Sequence, residues 1–297
     1  MFVIKYRAFF FGISAIAIAV SVLAIVIFGL NLGIDFKGGS VVELEYVGAR
    51  PATATLQTSI STALGDEVVV QPIGDKGVII RTRALSEIEK ATIIAAAGGT
   101  STASGVIEKR SNSIGPTIGE ELAQRGLIAI AIVVVAIVLF VALAFWGVSR
   151  PVASWKYGLI AIVTLLHDII IPTGVFAVLG HFRGTEVDAL FLTALLTILG
   201  LSVNDTIVVF DRIRENLKNK IAPHFEDVVG ISLSQTFTRS INTSLTVILV
   251  LLALLFFGSP TTRDFALVLT IGMVVGTYSS IFIASPLLVV WEKWSRK

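Results

Sequence analysis

Over most of this chain apolar residues do not alternate with polar ones; they run on. Six stretches, roughly Ala8 to Leu30, Gly126 to Trp146, Tyr157 to Leu179, Val187 to Phe210, Ile241 to Phe257 and Ala266 to Val290, meet or nearly meet the ~20 apolar residues that a helix needs to cross a hydrocarbon core of ~30 Å. Each is predicted to be a membrane-spanning helix. Ala15, Ala17 and Ala19 in the first stretch mimic a small-residue cleavage site. They sit in the middle of the run, however, and the apolar core of a signal peptide is usually only ~7–15 residues, so an uncleaved span is expected.

Residues 31–125 follow a different pattern. Ser40 to Tyr46 alternates like a strand, Ala52 to Leu64 has helical composition, and Glu67 to Gln71 and Val78 to Thr82 flank a Gly74-Asp75-Lys76-Gly77 turn. Ser86 is placed to cap a helix through about Ala97, ended by Gly98-Gly99, and Gly105 to Arg110 offers a last strand. The predicted order β-α-β-β-α-β suits a ferredoxin-like sandwich, a shape that by itself says nothing of function. The fold class expected is therefore a membrane all-α six-helix bundle with one extracytoplasmic α+β ferredoxin-like domain between helices 1 and 2. Its divisions are residues 1–30 (cytoplasmic N-terminus and helix 1), 31–125 (outer domain), 126–210 (helices 2–4), 211–240 (cytoplasmic amphipathic loop) and 241–297 (helices 5–6 and cytoplasmic C-terminus). In that loop Pro223 reads as a helix start, and Phe225, Val228 and Val229 fall on one side of Glu226 and Asp227. Either a helix lying in the membrane interface or a solvated connector helix fits.

Charge supplies the orientation. Lys5 and Arg7 precede the first span, Arg150 and Lys156 lie between the second and third, Arg212, Arg214, Lys218, Lys220 and Arg239 follow the fourth, and Lys293, Arg296 and Lys297 close the chain. The opposite short loops contribute Arg183 and Arg263. Lys and Arg accumulate on the cytoplasmic side of short loops, so both termini are expected there and residues 31–125 outside. Of 297 residues 55% are hydrophobic, and the mean hydropathy is +0.88, beyond what a soluble core needs. A formal net charge of +2 gives no ground for nucleic-acid binding. With no cysteine there is no thiol chemistry, and His167, His181 and His224 are too far apart in topology to suggest a metal site. No P-loop pattern occurs, so any work done by the chain is expected to draw on something other than its own ATP hydrolysis.

Ionisable residues inside a span cost roughly 2.5–3.5 kcal/mol at the helix centre on insertion scales, so each one asks for a function. His167 and Asp168 fall near the middle of the third span, and Asp205 lies in the cytoplasmic half of the fourth, in Ser202-Val203-Asn204-Asp205-Thr206. Arg239 opens the fifth span, at a depth where it could meet Asp205. Thr193, Thr197, Gly200 and Asn204 share one helix face, and so do Arg239, Asn242, Thr243 and Thr246, which predicts a shared polar seam. A carboxylate in low dielectric beside a mobile cation suits proton loading and release, and His167 with Asp168 could extend the relay. A buried ion pair fixing helix register is the alternative for Asp205 and Arg239, and a satisfied pair joining helices is the alternative for His167 and Asp168. Gly272, Gly276, Ser279 and Ser280 form a small-residue face read as helix packing.

Several motifs carry a family resemblance. Leu32-Gly33-Ile34-Asp35-Phe36-Lys37-Gly38-Gly39, Gly115-Pro116-Thr117-Ile118-Gly119-Glu120-Glu121-Leu122, the run from Asn204 to Asn216, Arg239 to Thr246 and Gly276 to Pro286 together resemble the SecF branch of the SecD/SecF family of protein-export membrane proteins, within the resistance-nodulation-division superfamily. The resemblance spans the chain and implies a SecD partner, a place beside the Sec translocon channel with a possible small accessory membrane subunit, and preprotein substrates. It also implies use of the proton gradient in late steps of export, from a multi-pass position in the plasma (inner) membrane, with Asp205 and Arg239 at the positions assigned to proton transport. Lys37 departs from the hydroxyl residue expected in the first motif, and the two glycines still carry the turn. Gly38, Gly39, Gly115 and Pro116 are read as backbone geometry at a domain hinge.

Half of a proton-driven small-molecule or lipid efflux transporter of the same superfamily is the competing reading. Such pumps usually carry a second large outer insertion, and this chain has one modest insertion. An intramembrane aspartyl protease built on Asp168 and Asp205 would need a Gly-x-Gly-Asp motif that neither site has, so no enzyme and no cofactor are expected. A scaffold role beside the translocon needs no titrating residue and stays open.

Overall fold

The computed structural model describes residues 2–98, 105–145 and 153–295; Gly99, Trp146, Arg150, Arg296 and Lys297, used above, lie outside the described residues. In chain order the elements are α1 (Phe2–Lys5), α2 (Arg7–Phe28), α3 (Ile34–Lys37), β1 (Gly39–Tyr46), α4 (Thr53–Leu64), β2 (Val69–Ile73), β3 (Gly77–Thr82), α5 (Glu87–Ala96) and β4 (Val106–Ile114). The long helices α6 (Pro116–Ala144), α7 (Ser154–Arg183), α8 (Ala189–Lys218), α9 (Phe225–Phe257) and α10 (Pro260–Ser279) follow, then a π-helical turn (Ser280–Ala284) and α11 (Ser285–Ser295). The chain forms two compact units, Leu32–Leu127 and the remainder.

Among the described residues six helical runs are long and apolar enough to cross a bilayer: α2, α6, α7, α8, α9 and the continuous run from α10 to α11. They expose large apolar side chains such as Ile16, Val26, Ile132, Leu139, Val250 and Phe257, the arrangement expected where the outer solvent is hydrocarbon. At the end that holds α1, one core gathers Val3, Ile4, Tyr157, Phe210, Ile213, Phe225, Val229 and Leu288. Glu226 ties that end together, accepting from Arg7 at 2.9 Å and from Lys293. The segment after Pro223 differs from both readings of the loop. Its helix is neither interfacial nor a separate connector but the first turns of a single 33-residue helix, α9. No proline interrupts Phe225 to Phe257, and Phe225, Val228, Val229 and Leu233 bury their apolar face against the bundle instead of lying on lipid.

Proline does interrupt two other spans. Pro172 has no N–H to give the carbonyl of Asp168 four residues earlier, and Pro286 likewise leaves the carbonyl of Phe282 without its helical donor. The ladder around the second proline widens to the π-helical turn at Ser280–Ala284, and such turns collect at functional sites.

In the Leu32–Leu127 unit four antiparallel strands are ordered β2-β3-β1-β4. Alternation puts Val42, Leu44 and Tyr46 of β1 on the face that packs with Leu56 and Ile60 of α4 and Ile93 of α5. Helix α5 starts with the predicted cap, a complete capping box in which the Ser86 side chain accepts from the Glu89 backbone and Glu89 accepts from the Ser86 backbone. The Arg83 guanidinium hydrogen-bonded to Glu89, with the Ser86 donors, holds the Glu89 carboxyl at about 2, down from 4.5. A group depressed in the folded state contributes its stabilisation above the unfolded value and loses it as pH falls through the folded one. Hydrogen-exchange protection of the first turn of α5, measured on the full chain, is therefore expected to be flat above pH 4.5 and to decline towards pH 2.

Candidate functional site

The first pair is brought together as the sequence suggested. His167 and Asp168 of α7 are 2% and 0% exposed, and His167 Nδ1 lies 2.8 Å from Asp168 Oδ1. The other carboxylate oxygen, Oδ2, accepts from Ser202 Oγ of α8 and from Ser279 Oγ of α10 at 2.8 Å. Next to it Thr206 and Ser280 share a hydrogen bond of 2.8 Å, and Ser280 Oγ reaches the carbonyl of Ser202 at 3.4 Å. The ring of Tyr278 stacks on His167 at 6.2 Å, and its hydroxyl donates to the carbonyl of Phe10 on α2 at 2.9 Å. Asp168 thus joins three spans through a closed set of donors. Ser202 and Ser279 were not singled out as its partners. The signal was there in part: both are small polar residues on faces otherwise apolar or glycine-rich, but pairing them with Asp168 needs the helix packing.

That packing follows from the glycines. A Cβ on Gly272 would lie 2.2 Å from Ile198 Cδ1, and one on Gly276 would lie 3.1 Å from Ser202 Cβ, so α10 approaches α8 along the predicted small-residue face. The same face does more than pack, because Ser279 and Ser280 supply hydrogen bonds.

Asp205 stands one turn from Ser202 on α8, half-buried, beside a cleft lined by Leu201, Ser202, Ser244, Gly272, Met273, Gly276 and Thr277. The cleft's free volume of about 20 Å³ is enough for a water molecule. Among the described residues Asp205 Oδ2 and Ser240 Oγ of α9 are both buried and meet no other hydrogen-bonding group, and Ser240 faces the Asp205 carboxyl closely enough for the two to interact. The contact serves both protonation states, because the ionised carboxylate can accept from the Ser240 hydroxyl and the protonated one can donate to it.

The expected pairing of Asp205 with Arg239 is not formed. Among the described residues no ion pair joins them, and the Arg239 side chain is exposed. Arg239 precedes Ser240 on α9, and successive helical residues point about 100° apart, so when Ser240 faces Asp205 its neighbour faces out. The two polar stripes also differ from the internal seam predicted for them. Thr193, Thr197, Gly200 and Asn204 of α8 and Arg239, Asn242, Thr243 and Thr246 of α9 are all exposed, while the faces turned inward carry Ala194, Leu195, Ile198, Leu199, Ser202 and Ser244. Periodicity identified each face correctly and gave it the wrong neighbour.

The glycine motifs meet in the Leu32–Leu127 unit. Gly38 and Gly39 have φ of 75° and 130°, and a Cβ on Gly38 would come within 2.6 Å of Pro116 Cα. Gly119 approaches the backbone of Phe36 and Gly38 as closely, so the start of α6 crosses the α3–β1 junction backbone against backbone. Among the described residues no group of three or more His, Asp or Glu is close enough to hold a metal ion.

The family described as "Protein export membrane protein SecD/SecF, C-terminal" matches residues 76–294, and the "SecD/SecF GG Motif" matches residues 23–49. The chain is 42% identical to "Protein translocase subunit SecF" of Thermobaculum terrenum, over 98% of this chain and 93% of that protein. It is 34% identical to "Protein translocase subunit SecDF" of Bacillus subtilis, over 98% of this chain and 38% of that protein. A crystal structure of SecDF from Thermus thermophilus, described as a translocon-associated membrane protein, superposes with a TM-score of 0.83 at 32% identity, covering 98% of this chain and 38% of that one. This chain belongs to the SecD/SecF family of protein-export membrane proteins.

Proposed function

We propose that this chain is the SecF-type half of a SecD–SecF pair, an accessory of the Sec translocon that uses the proton gradient to promote late steps of preprotein export. The single observation that carries the reading is the outward polar face of α8 and α9 next to Asp205. Thr193 and Thr197 satisfy their hydroxyls on their own helix, at 2.9 and 2.8 Å, and would tolerate lipid. Among the described residues the side chains of Asn204, Asn242 and Arg239 make no hydrogen bond, and hydrocarbon offers them none. A second membrane-spanning half, lined with its own polar groups, would cover this face, enclose Asp205 and bring a counter-charge or water chain to it. The match to part of SecDF and nearly all of SecF supports SecD as that half.

Asp205 is the residue assigned to hold the proton in transit, and Arg239, at the rim of the same face, the cation that moves relative to it. Asn204 lines the route on the SecD side. The outer unit is read as a ferredoxin-like domain on the far side of the membrane, which the β2-β3-β1-β4 order and its two crossover helices support. Lys5, Arg7, Lys156 and Lys293 against Arg183 and Arg263 support both termini in the cytoplasm. A small accessory subunit and the preprotein surface belong to the same reading.

The chain contains no cysteine, which makes the test clean. Thr197→Cys and Asn204→Cys, each combined with a cysteine scan of the SecD spans, are expected to give oxidative cross-links to SecD, while Val26→Cys on the exposed apolar side of α2 gives none. Cross-linking at Val26 and not at Asn204 would put the partner on another face and remove the reading's main support.

A further inference from the structure

The mechanism above leaves Asp168 without work, and its surroundings suggest what it does. It is enclosed, with three donors on its two oxygens, and among the described residues the Asp205 cleft does not reach it. It is nevertheless a single hydroxyl away from that cleft. Ser202, one of its donors, lines the cleft and stands one turn from Asp205; Gly276, whose carbonyl accepts from Ser279 at 3.0 Å, lines it too. Ser279 has one hydroxyl hydrogen and two acceptors in reach, Asp168 Oδ2 at 2.8 Å and Gly276 O at 3.0 Å. Its donation can pass from the α7 carboxylate to its own helix. Where it points decides whether α10 is tied to α7 and α8 or to itself. Two softened backbone positions flank this junction, the Asp168 carbonyl opposite Pro172 and the π-helical turn that begins at Ser280.

We propose that Asp168 is a positioning residue for Asp205: its carboxylate clamps Ser202 of α8 and Ser279 of α10 together across the Gly272–Gly276 contact and so sets the width of the cleft in which Asp205 takes its proton. The titratable and charged groups around the clamp, taken over every element packed on it, are His167 of α7, Tyr278 of α10 and Asp205 of α8, with Arg239 of α9 on the outer side; α2 contributes only Ser14 and Ser21 as buried polar residues. This role differs from a relay, since no proton leaves Asp168. It rests on the proton-coupled reading of Asp205 only for its consequence, while the clamp itself can be tested without it.

The experiment uses the full chain in membranes with SecD, carrying Leu201→Cys as a reporter in the cleft, and compares Asp168→Asn, Ser279→Ala and Ser279→Thr. The first measurement is the rate of modification of the cysteine by a small water-soluble thiosulfonate. A released clamp opens the cleft, so Ser279→Ala and Asp168→Asn are expected to react several-fold faster, and Ser279→Thr, which restores the hydroxyl, to return to the reference rate. The second is the pH profile of gradient-driven export, without the reporter. Its midpoint is expected to move by about half a pH unit or more, roughly threefold in proton concentration, while the maximal gain at the best pH is retained. An unchanged modification rate in both variants overturns the clamp. A lowered maximum with an unmoved midpoint also overturns it, because that is what loss of packing alone produces. Should the unmodified chain show no gradient-driven export at all, the functional reading fails, and the modification rates still decide the clamp.

Discussion

Asp205→Asn abolishes the gradient-dependent part of preprotein export and leaves the complex with SecD assembled. The substitution keeps shape and removes the one thing the proposal requires, an oxygen that can bind and release a proton. Its cost to the fold is expected to stay within about 1 kcal/mol, because the amide of asparagine keeps the shape and can still exchange a hydrogen bond with the Ser240 hydroxyl that faces Asp205. Pulse-chase of a signal-bearing reporter should show processing slowed to the level of cells lacking the chain, with SecD recovered at the normal yield in pull-downs. Failure of SecD to co-purify would instead make Asp205 a structural residue.

Gly272→Leu has the opposite profile. A Cβ alone would overlap Ile198, with contacts of 2.2 and 2.4 Å to its side-chain carbons, and the rest of a leucine has nowhere to go between α8 and α10. Overpacking typically costs 1–3 kcal/mol, and here it also pulls Ser279 away from Asp168, so the buried carboxylate loses a donor at a cost of roughly 1–3 kcal/mol more. The chain is expected to be degraded or to fail to assemble. Gly200→Leu is the control on the other face of α8, where a Cβ meets nothing within 4 Å. It should reach the membrane at the reference level and lose SecD, because the added bulk stands on the face proposed for docking. Membrane abundance and SecD co-purification separate the two. Equal abundance of both variants would contradict the packing of α10 on α8.

Much of this was legible from periodicity and length. Six spans follow from apolar runs matched to a bilayer, and the β-α-β-β-α-β order of the Leu32–Leu127 unit follows from alternation, the Gly74–Gly77 turn and the Ser86 cap. The start of α9 departs from its expected form because a polar, amphipathic stretch looks the same whether it lies on a membrane or packs on its own bundle; the buried Val229 and Leu233 decide that only once Val3, Ile4 and Phe210 are in place. The site divides the same way. His167 and Asp168 announce themselves as ionisable residues in a span, as do Asp205 and Arg239. Which of them meet depends on helix rotation about the long axis, and a sequence fixes the angle between Arg239 and Ser240 without fixing which one turns inward. Ser202 and Ser279 carry no charge and no motif of their own, so only their distance to Asp168 reveals them.

The central claim is that a proton passing Asp205 is coupled to export. The most direct test is translocation of a preprotein into inverted membrane vesicles containing this chain with SecD, for the unmodified chain, Asp205→Asn and Arg239→Ala, with and without an uncoupler. The account predicts a gain in the unmodified vesicles that disappears with the uncoupler and is absent from both variants. A gain that persists in the variants would contradict it and leave the chain a scaffold beside the translocon.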